Sequence, residues 1–199
     1  MLTKKTLARE LSRLSGFSHP EIRLEQYHLD SEVAAFILWT AFMHEDIQGK
    51  TIADLGSGPG ILAVGCLLLG AKKVYLVELD KAALAIAKLN ISNKKAVFLN
   101  QDIRNFHKKV DVVIQNPPFG TKQKHADRDF LKKAMQLAPK IYSLHKITSK
   151  SFITAFAHDH GFQVQQLIPI STTLKATYAF HKKPKQAIEL GLWILRRNI

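Results

Sequence analysis

The stretch Asp54–Gly60, DLGSGPG, constrains the fold more than any other part of the chain. Three glycines at alternate positions, Gly56, Gly58 and Gly60, let the backbone turn sharply and approach a ligand closely, because no Cβ stands in the way. The apolar run Thr51–Ala53 before them reads as a strand, and Ile61–Leu69 after them reads as a helix. Such a strand–loop–helix offers the free N–H groups of a helix start to a bound ligand. The spacing G-x-G-x-G is tighter than the dinucleotide loop G-x-G-x-x-G and points to a single nucleoside-like ligand. About twenty residues on, Glu78 ends the next apolar run, where a carboxylate would accept hydrogen bonds from both ribose hydroxyls.

From Lys50 the pattern alternates. Strands are predicted at 51–55, 73–78, 96–100 and 110–115, with helices at 60–69 and 80–92. The helices are short and apolar on a wide face, as expected when they cover a parallel sheet. Right-handed crossovers then give a doubly wound, mostly parallel α/β sheet of Rossmann type, whose ligands sit at the carboxyl ends of the strands. Four polar motifs fall there: Asp54–Gly60, Glu78–Asp80, Asn100–Asp102 and Asn116–Phe119. Beyond them the chain reads as a polar, basic loop (Gly120–Asp129), a helix at 127–138, a strand at 140–145 and a helix at 148–160 closed by Gly161. Strands at 163–170, 177–181 and 188–195 would close the sheet in antiparallel fashion, with Pro169 arguing that the first of these is not central. Upstream, Leu2–Leu14 has helical apolar spacing with a basic face, and Ser31–Met43 reads as a helix capped by Asp30 or Ser31. The expected organisation is one domain over 1–199, with 1–44 a helical segment that would form a lid over the site and 45–199 the Rossmann-like core.

Charge narrows the partners. Lys and Arg number 29 against 16 Asp and Glu, a formal net charge of +13, and a surplus that large attracts a polyanion. The lysines of Lys122–Arg128, with Lys182, Lys183 and Lys185, are candidates for a track along the phosphates of such a polyanion. The one cysteine, Cys66, excludes an intramolecular disulfide and a cysteine-based metal site, and reads as a core thiol. No metal is expected. The charged N-terminus lacks the apolar block of a signal peptide, and no apolar run approaches the length of a membrane span, so a cytoplasmic location is expected.

Taken together, DLGSGPG and VELD resemble the S-adenosylmethionine site of class I methyltransferases. Asp54 would then order the glycine loop and the methionine end of the cofactor, and Asp102, with Ile103 beside it, would receive the adenine amine. The motif Asn116-Pro117-Pro118-Phe119 carries the reaction. Two prolines fix φ twice and remove two donors, leaving carbonyls in a set geometry beside an amide and an aromatic ring. An aryl amine is a poor nucleophile because its lone pair is delocalised. Two acceptors, Asn116 Oδ1 and the Pro117 carbonyl, could hold both of its N–H bonds and bias the nitrogen toward a pyramidal form, while Phe119 stacks on the base for about 1–3 kcal/mol. Methyl transfer then needs alignment more than a general base.

With NPPFG added, the chain resembles the N6-adenine methyltransferases. LEQY, NPPFGTK, Asp127 with Phe130-Leu131, YSLHK (Tyr142–Lys146) and FHKKP (Phe180–Pro184) narrow the likeness to the family that modifies one adenine of small-subunit ribosomal RNA. The resemblance covers roughly residues 24–195. It implies S-adenosylmethionine as cofactor, S-adenosylhomocysteine as product, and cofactor contacts from Gln26, Tyr27, Asp54, Gly56, Gly58, Gly60, Glu78, Asp102, Ile103 and Asn116. For RNA it points to Lys122, Lys124, Arg128, His145, Lys146, His181, Lys182 and Lys183. It also implies a small zinc-binding activator subunit pairing along a sheet edge. Two features depart from the family: the loop after NPPFGTK is about one residue short, and His28 stands where a proline commonly follows EQY. The alternatives are glutamine N5-methylation, since an amide NH₂ poses the same chemical problem, and a catalytically inactive RNA-binding module. The first prefers Tyr at the fourth motif position and an additional N-terminal helical domain. The second should have lost Asn116 or the glycines, and has not.

Overall fold

The computed structural model describes residues 2–120, 125–175 and 185–198, with side chains given outside 172–175 and 185–188. A seven-stranded sheet organises them: β1 (Thr51–Leu55), β2 (Lys73–Glu78), β3 (Ala96–Asn100), β4 (Val112–Gln115), β5 (Lys140–Lys146), β6 (Phe162–Lys175) and β7 (Lys185–Arg197). Their order across the sheet is β3-β2-β1-β4-β5-β7-β6. The first five are parallel, while β7 runs antiparallel to both β5 and β6. After β3 the chain returns to the other side of β1 to lay down β4. The order therefore reverses between β1 and β4, which opens a crevice at their carboxyl ends.

Period-two burial assigns each strand residue to one of two cores. Ile52, Leu76, Ile114 and Tyr142 face a cluster with Leu7 and Leu11 of α1 (Lys4–Leu11), Ile37 and Leu38 of α2 (Ser31–Met43), Leu62 of α3 (Ile61–Leu68) and Leu84 of α4 (Lys81–Asn90). Ala53, Val77, Val113 and Ile141 face the other cluster, with Leu131 and Met135 of α5 (Ala126–Leu137) and Ile153 of α6 (Lys150–Asp159). Both faces are covered, which is why the central strands read as continuous apolar runs. Cys66 is buried in the first cluster, and burial pushes its thiol well above the ordinary range. It is a core residue, as expected.

Asp30, rather than Ser31, caps α2, its carboxylate accepting the N–H groups of Glu32 (2.9 Å) and Val33 (3.4 Å). The predicted helix at 148–160 is shorter, because residues Ile147–Ser149 form a 3₁₀ turn ahead of α6. Pro169 lies in β6, an edge strand, where a missing donor costs least; it stands opposite Gly191 of β7. The strand expected at 163–170 extends to Lys175, and that at 188–195 begins at Lys185. The expected strand at 177–181 lies outside the described residues. No helix among the described residues is long and apolar enough to cross a membrane.

Candidate active site

The crevice beyond β1, β2 and β4 is lined by nine of the ten expected cofactor residues: Gln26, Tyr27, Asp54, Gly56, Gly58, Glu78, Asp102, Ile103 and Asn116, together with Pro117 and Pro118. Gly60 is not among the lining residues. Its φ of +89° and its place as the cap of α3 give it a role in the turn. Phe119 also lies behind the lining, against the ring of Tyr27.

The glycine loop is built around steric limits. Gly56 (φ +68°) and Gly58 (φ +52°) occupy the left-handed region, and a Cβ on either would come within 2.8 Å of a ring carbon, of Phe130 and Phe17 respectively. Glu78 is buried and fixes this loop from the next strand. One carboxylate oxygen accepts Gly58 N–H at 2.7 Å and the other accepts Asp80 N–H at 2.8 Å. A carboxylate has about four lone-pair sites, so acceptor capacity remains for a ligand. Burial raises the Glu78 pKa, an effect that these backbone donors oppose.

Asp54 is 1% exposed. Its Oδ2 accepts Ala63 N–H of α3 at 3.2 Å, tying the loop to the helix, while Oδ1 and Ser57 Oγ find no hydrogen-bond partner among the described residues. Burial first, and then the Glu78 charge, push the Asp54 carboxyl up to about 8. Asp102 caps the 3₁₀ turn Ile103–Asn105 and binds Arg104 through Nε (3.0 Å) and Nη2 (2.7 Å). This guanidinium holds its carboxyl below the usual range. Both Asp102 and Arg104 face the crevice.

The segment before α2 closes over the site. Gln26 donates to Asp80 Oδ2 at 2.8 Å, Tyr27 donates its hydroxyl to Asn116 Oδ1, and Glu25 accepts Phe119 N–H at 2.9 Å. Burial raises the Tyr27 pKa, so the phenol stays neutral and remains a donor. His28 lies against Gly16, where a Cβ would approach its Nδ1 to 2.5 Å. The residue that departs from the family's proline therefore uses space that a glycine leaves open.

Against this geometry, residues 28–142 match the methyltransferase small domain. The chain belongs to that family. A relative in Danio rerio, rRNA N(6)-adenosine-methyltransferase METTL5, is 34% identical over 198 residues, spanning 94% of this chain and 95% of its own. A protein of Methanocaldococcus jannaschii without an assigned function is 35% identical over 210 residues, 98% of this chain and 94% of its own. A solved structure from Pyrococcus horikoshii, named as a candidate RNA methyltransferase, superposes with a TM-score of 0.95 at 39% identity over the full length of both chains. The resemblance read from the motifs is thereby established, and the fold is that of the class I methyltransferases.

The RNA-facing residues expected for this methyltransferase divide. Lys122, Lys124, His181, Lys182 and Lys183 lie outside the described residues. Arg128 is half exposed at the start of α5. Lys146 places its ammonium over the Phe119 ring, 5.5 Å from the centroid, beside the NPPF motif. His145 is a correction. It is 2% exposed, held by Ser143 Oγ at 2.6 Å and set edge-on to Trp193, and burial pushes its pKa down to about 3. A neutral ring enclosed in the sheet does not meet RNA phosphate. Sequence reasoning missed Glu25, Ser57, Phe17 and Arg104. Glu25 and Ser57 carried a signal, because they stand inside the LEQY and DLGSGPG segments; Phe17 and Arg104 carried none.

Proposed function

We propose that this chain transfers the methyl group of S-adenosylmethionine to N6 of one adenine in ribosomal RNA, in the small subunit. The observation that carries the reading is that Asn116, Pro117 and Pro118 line the same crevice as Glu78 and the glycine loop. An amine acceptor and a nucleoside site therefore face each other across one space. The crevice also fits the cofactor chemically. Glu78 keeps acceptor capacity for the ribose, and Asp54 Oδ1 with Ser57 Oγ offers buried, unpartnered oxygens toward a cationic, donor-rich ligand. When bound, S-adenosylmethionine supplies an electrophilic methyl on sulfur.

The chain's own work is alignment. Asn116 Oδ1 and the Pro117 carbonyl accept the two N–H bonds of the target amine, so that its lone pair turns toward the methyl group. The N–C bond forms as the S–C bond breaks. The proton that the nitrogen then sheds leaves to solvent, since the amide of Asn116 is too weak a base to keep it. The adenine must be unstacked to enter, so single-stranded or bulged RNA is the expected substrate. Lys146, Arg128 and the basic residues Lys122, Lys124, His181, Lys182 and Lys183 would hold the RNA backbone.

The whole chain works as one domain in this reading, with residues 1–44 as lid and support. The burial of Leu7, Leu11 and Leu38 in the same core as Ile52 and Ile114 supports this. A small zinc-binding activator would pair with one of the two edge strands, β3 or β6, and a cytoplasmic site of action accords with such a substrate. The experiment is transfer of labelled methyl to ribosomal RNA followed by nucleoside analysis. Label is expected on N6-methyladenosine, and Asn116→Ala should abolish transfer while cofactor affinity holds. Label on a protein glutamine instead would overturn the assignment.

A further inference from the structure

Tyr27 makes two contacts that together describe a bound base. Its ring stacks on Phe119, with centroids 5.3 Å apart and 24° between the planes. Its hydroxyl donates a hydrogen bond to Asn116 Oδ1. These are the two groups that the proposed function gives to the target adenine: an aromatic face for the ring, and an acceptor for the amine. Phe119 is further engaged by the Lys146 ammonium over its ring, and its backbone N–H is held by Glu25. The motif is therefore assembled around a side chain of its own protein.

We infer that Tyr27 stands in for the target base and must give way when the adenine enters. The inference rests on the reading of Asn116 as the amine acceptor. A flat ring with a donor at its rim shares both features of a flipped adenine, an aromatic face and an N–H or O–H donor, and the phenol donates while Asn116 presents its oxygen. Between the 3₁₀ turn Ile22–Leu24 and the cap of α2 the chain carries no helix or strand. Tyr27 can therefore withdraw without unravelling an element. Two consequences follow. In the absence of RNA, Asn116 and Phe119 stay ordered and their polar group stays satisfied, which avoids a buried orphan. On binding, the adenine must replace a hydrogen bond already made, so its apparent affinity is lowered by the stand-in.

The test is Tyr27→Phe, which keeps the stacking ring and removes only the hydroxyl. Binding is measured by fluorescence polarisation in the presence of S-adenosylhomocysteine. The probe is the ribosomal RNA fragment that the wild-type protein methylates, once with its target adenine and once with purine, which lacks the amine, at that position. A neutral hydrogen bond is worth about fivefold net, and either base must displace it to enter, so Tyr27→Phe should tighten binding of the adenine and purine RNAs alike by about fivefold while the ratio between them stays as in wild type. Unchanged or weakened binding of both RNAs overturns the stand-in and makes Tyr27 a productive contact. If Asn116→Ala keeps the wild-type preference for adenine, or wild-type protein methylates no RNA, the reading of the NPPF motif has failed as well. RNA methylated normally by wild-type protein, together with Tyr27→Phe affinities that do not move, removes this inference alone.

Discussion

The Glu25 carboxylate accepts the backbone N–H of Phe119 at 2.9 Å, across 94 residues of sequence. This contact sets the NPPF turn against the segment that covers the crevice. Glu25 itself sits in the left-handed region at φ +52°, a conformation that costs a non-glycine residue about 1–2 kcal/mol. That cost is repaid by the aim it gives the carboxylate and the two side chains that follow, Gln26 and Tyr27.

Glu25→Ala should therefore act on turnover more than on fold. A hydrogen bond to a charged acceptor contributes about 1.5–3 kcal/mol, so single-turnover methyl transfer should slow by roughly 10- to 100-fold. The melting temperature should move by only a few degrees. Unchanged turnover would mean that the prolines alone hold the NPPF geometry.

How much of this could be read beforehand varies with the physics of each element. The ends of β1, β2 and β3 match expectation to the residue, because polar motifs interrupt strands that are apolar on both faces. β6 fails that rule. Gln163, Gln165, Gln166 and Pro169 give it the look of an exposed edge, and its length is set by pairing with β7 rather than by its own residues. His145 was misread for a related reason. In β5 every interior position is buried, so a histidine there has no solvent face, yet its type suggests RNA contact. The partner that satisfies it, Ser143, is two residues away and on the same face. The Glu25–Phe119 contact had no periodic signal at all, since both residues lie in loops.

Two buried groups predict opposite pH dependences of stability. Asp54 has its pKa raised from 3.8 to about 8. Its favourable contribution is fully present below the unfolded value and is lost as pH rises toward 8. His145 has its pKa lowered from 6.5 to about 3. Its contribution is present above 6.5 and is lost as pH falls through 3. The two slopes oppose one another between about 4 and 6.5, and above 6.5 Asp54 acts without that opposition. At about 1.4 kcal/mol per pH unit for one proton, stability should drop by roughly 2 kcal/mol between pH 6.5 and 8. Urea midpoints across this range should show the decline, and Asp54→Asn should flatten it. A decline of equal size in Asp54→Asn would assign the slope to other groups.

The same carboxylates tie loop geometry to cofactor affinity. Glu78 holds Gly58 N–H and Asp80 N–H with separate oxygens, and its charge adds to the upward push on Asp54. In Glu78→Gln the side chain keeps its volume, but its NH₂ must face one of those two donors. An unsatisfied buried donor costs about 1–3 kcal/mol, and the remaining lone pairs for ribose are reduced at the same time. S-adenosylmethionine should bind roughly 10- to 100-fold more weakly by isothermal titration calorimetry. Removing the Glu78 charge should also lower the Asp54 pKa, so the decline in stability between pH 6.5 and 8 should shrink. A variant with wild-type affinity would show that Glu78 serves the glycine loop alone and does not reach the cofactor.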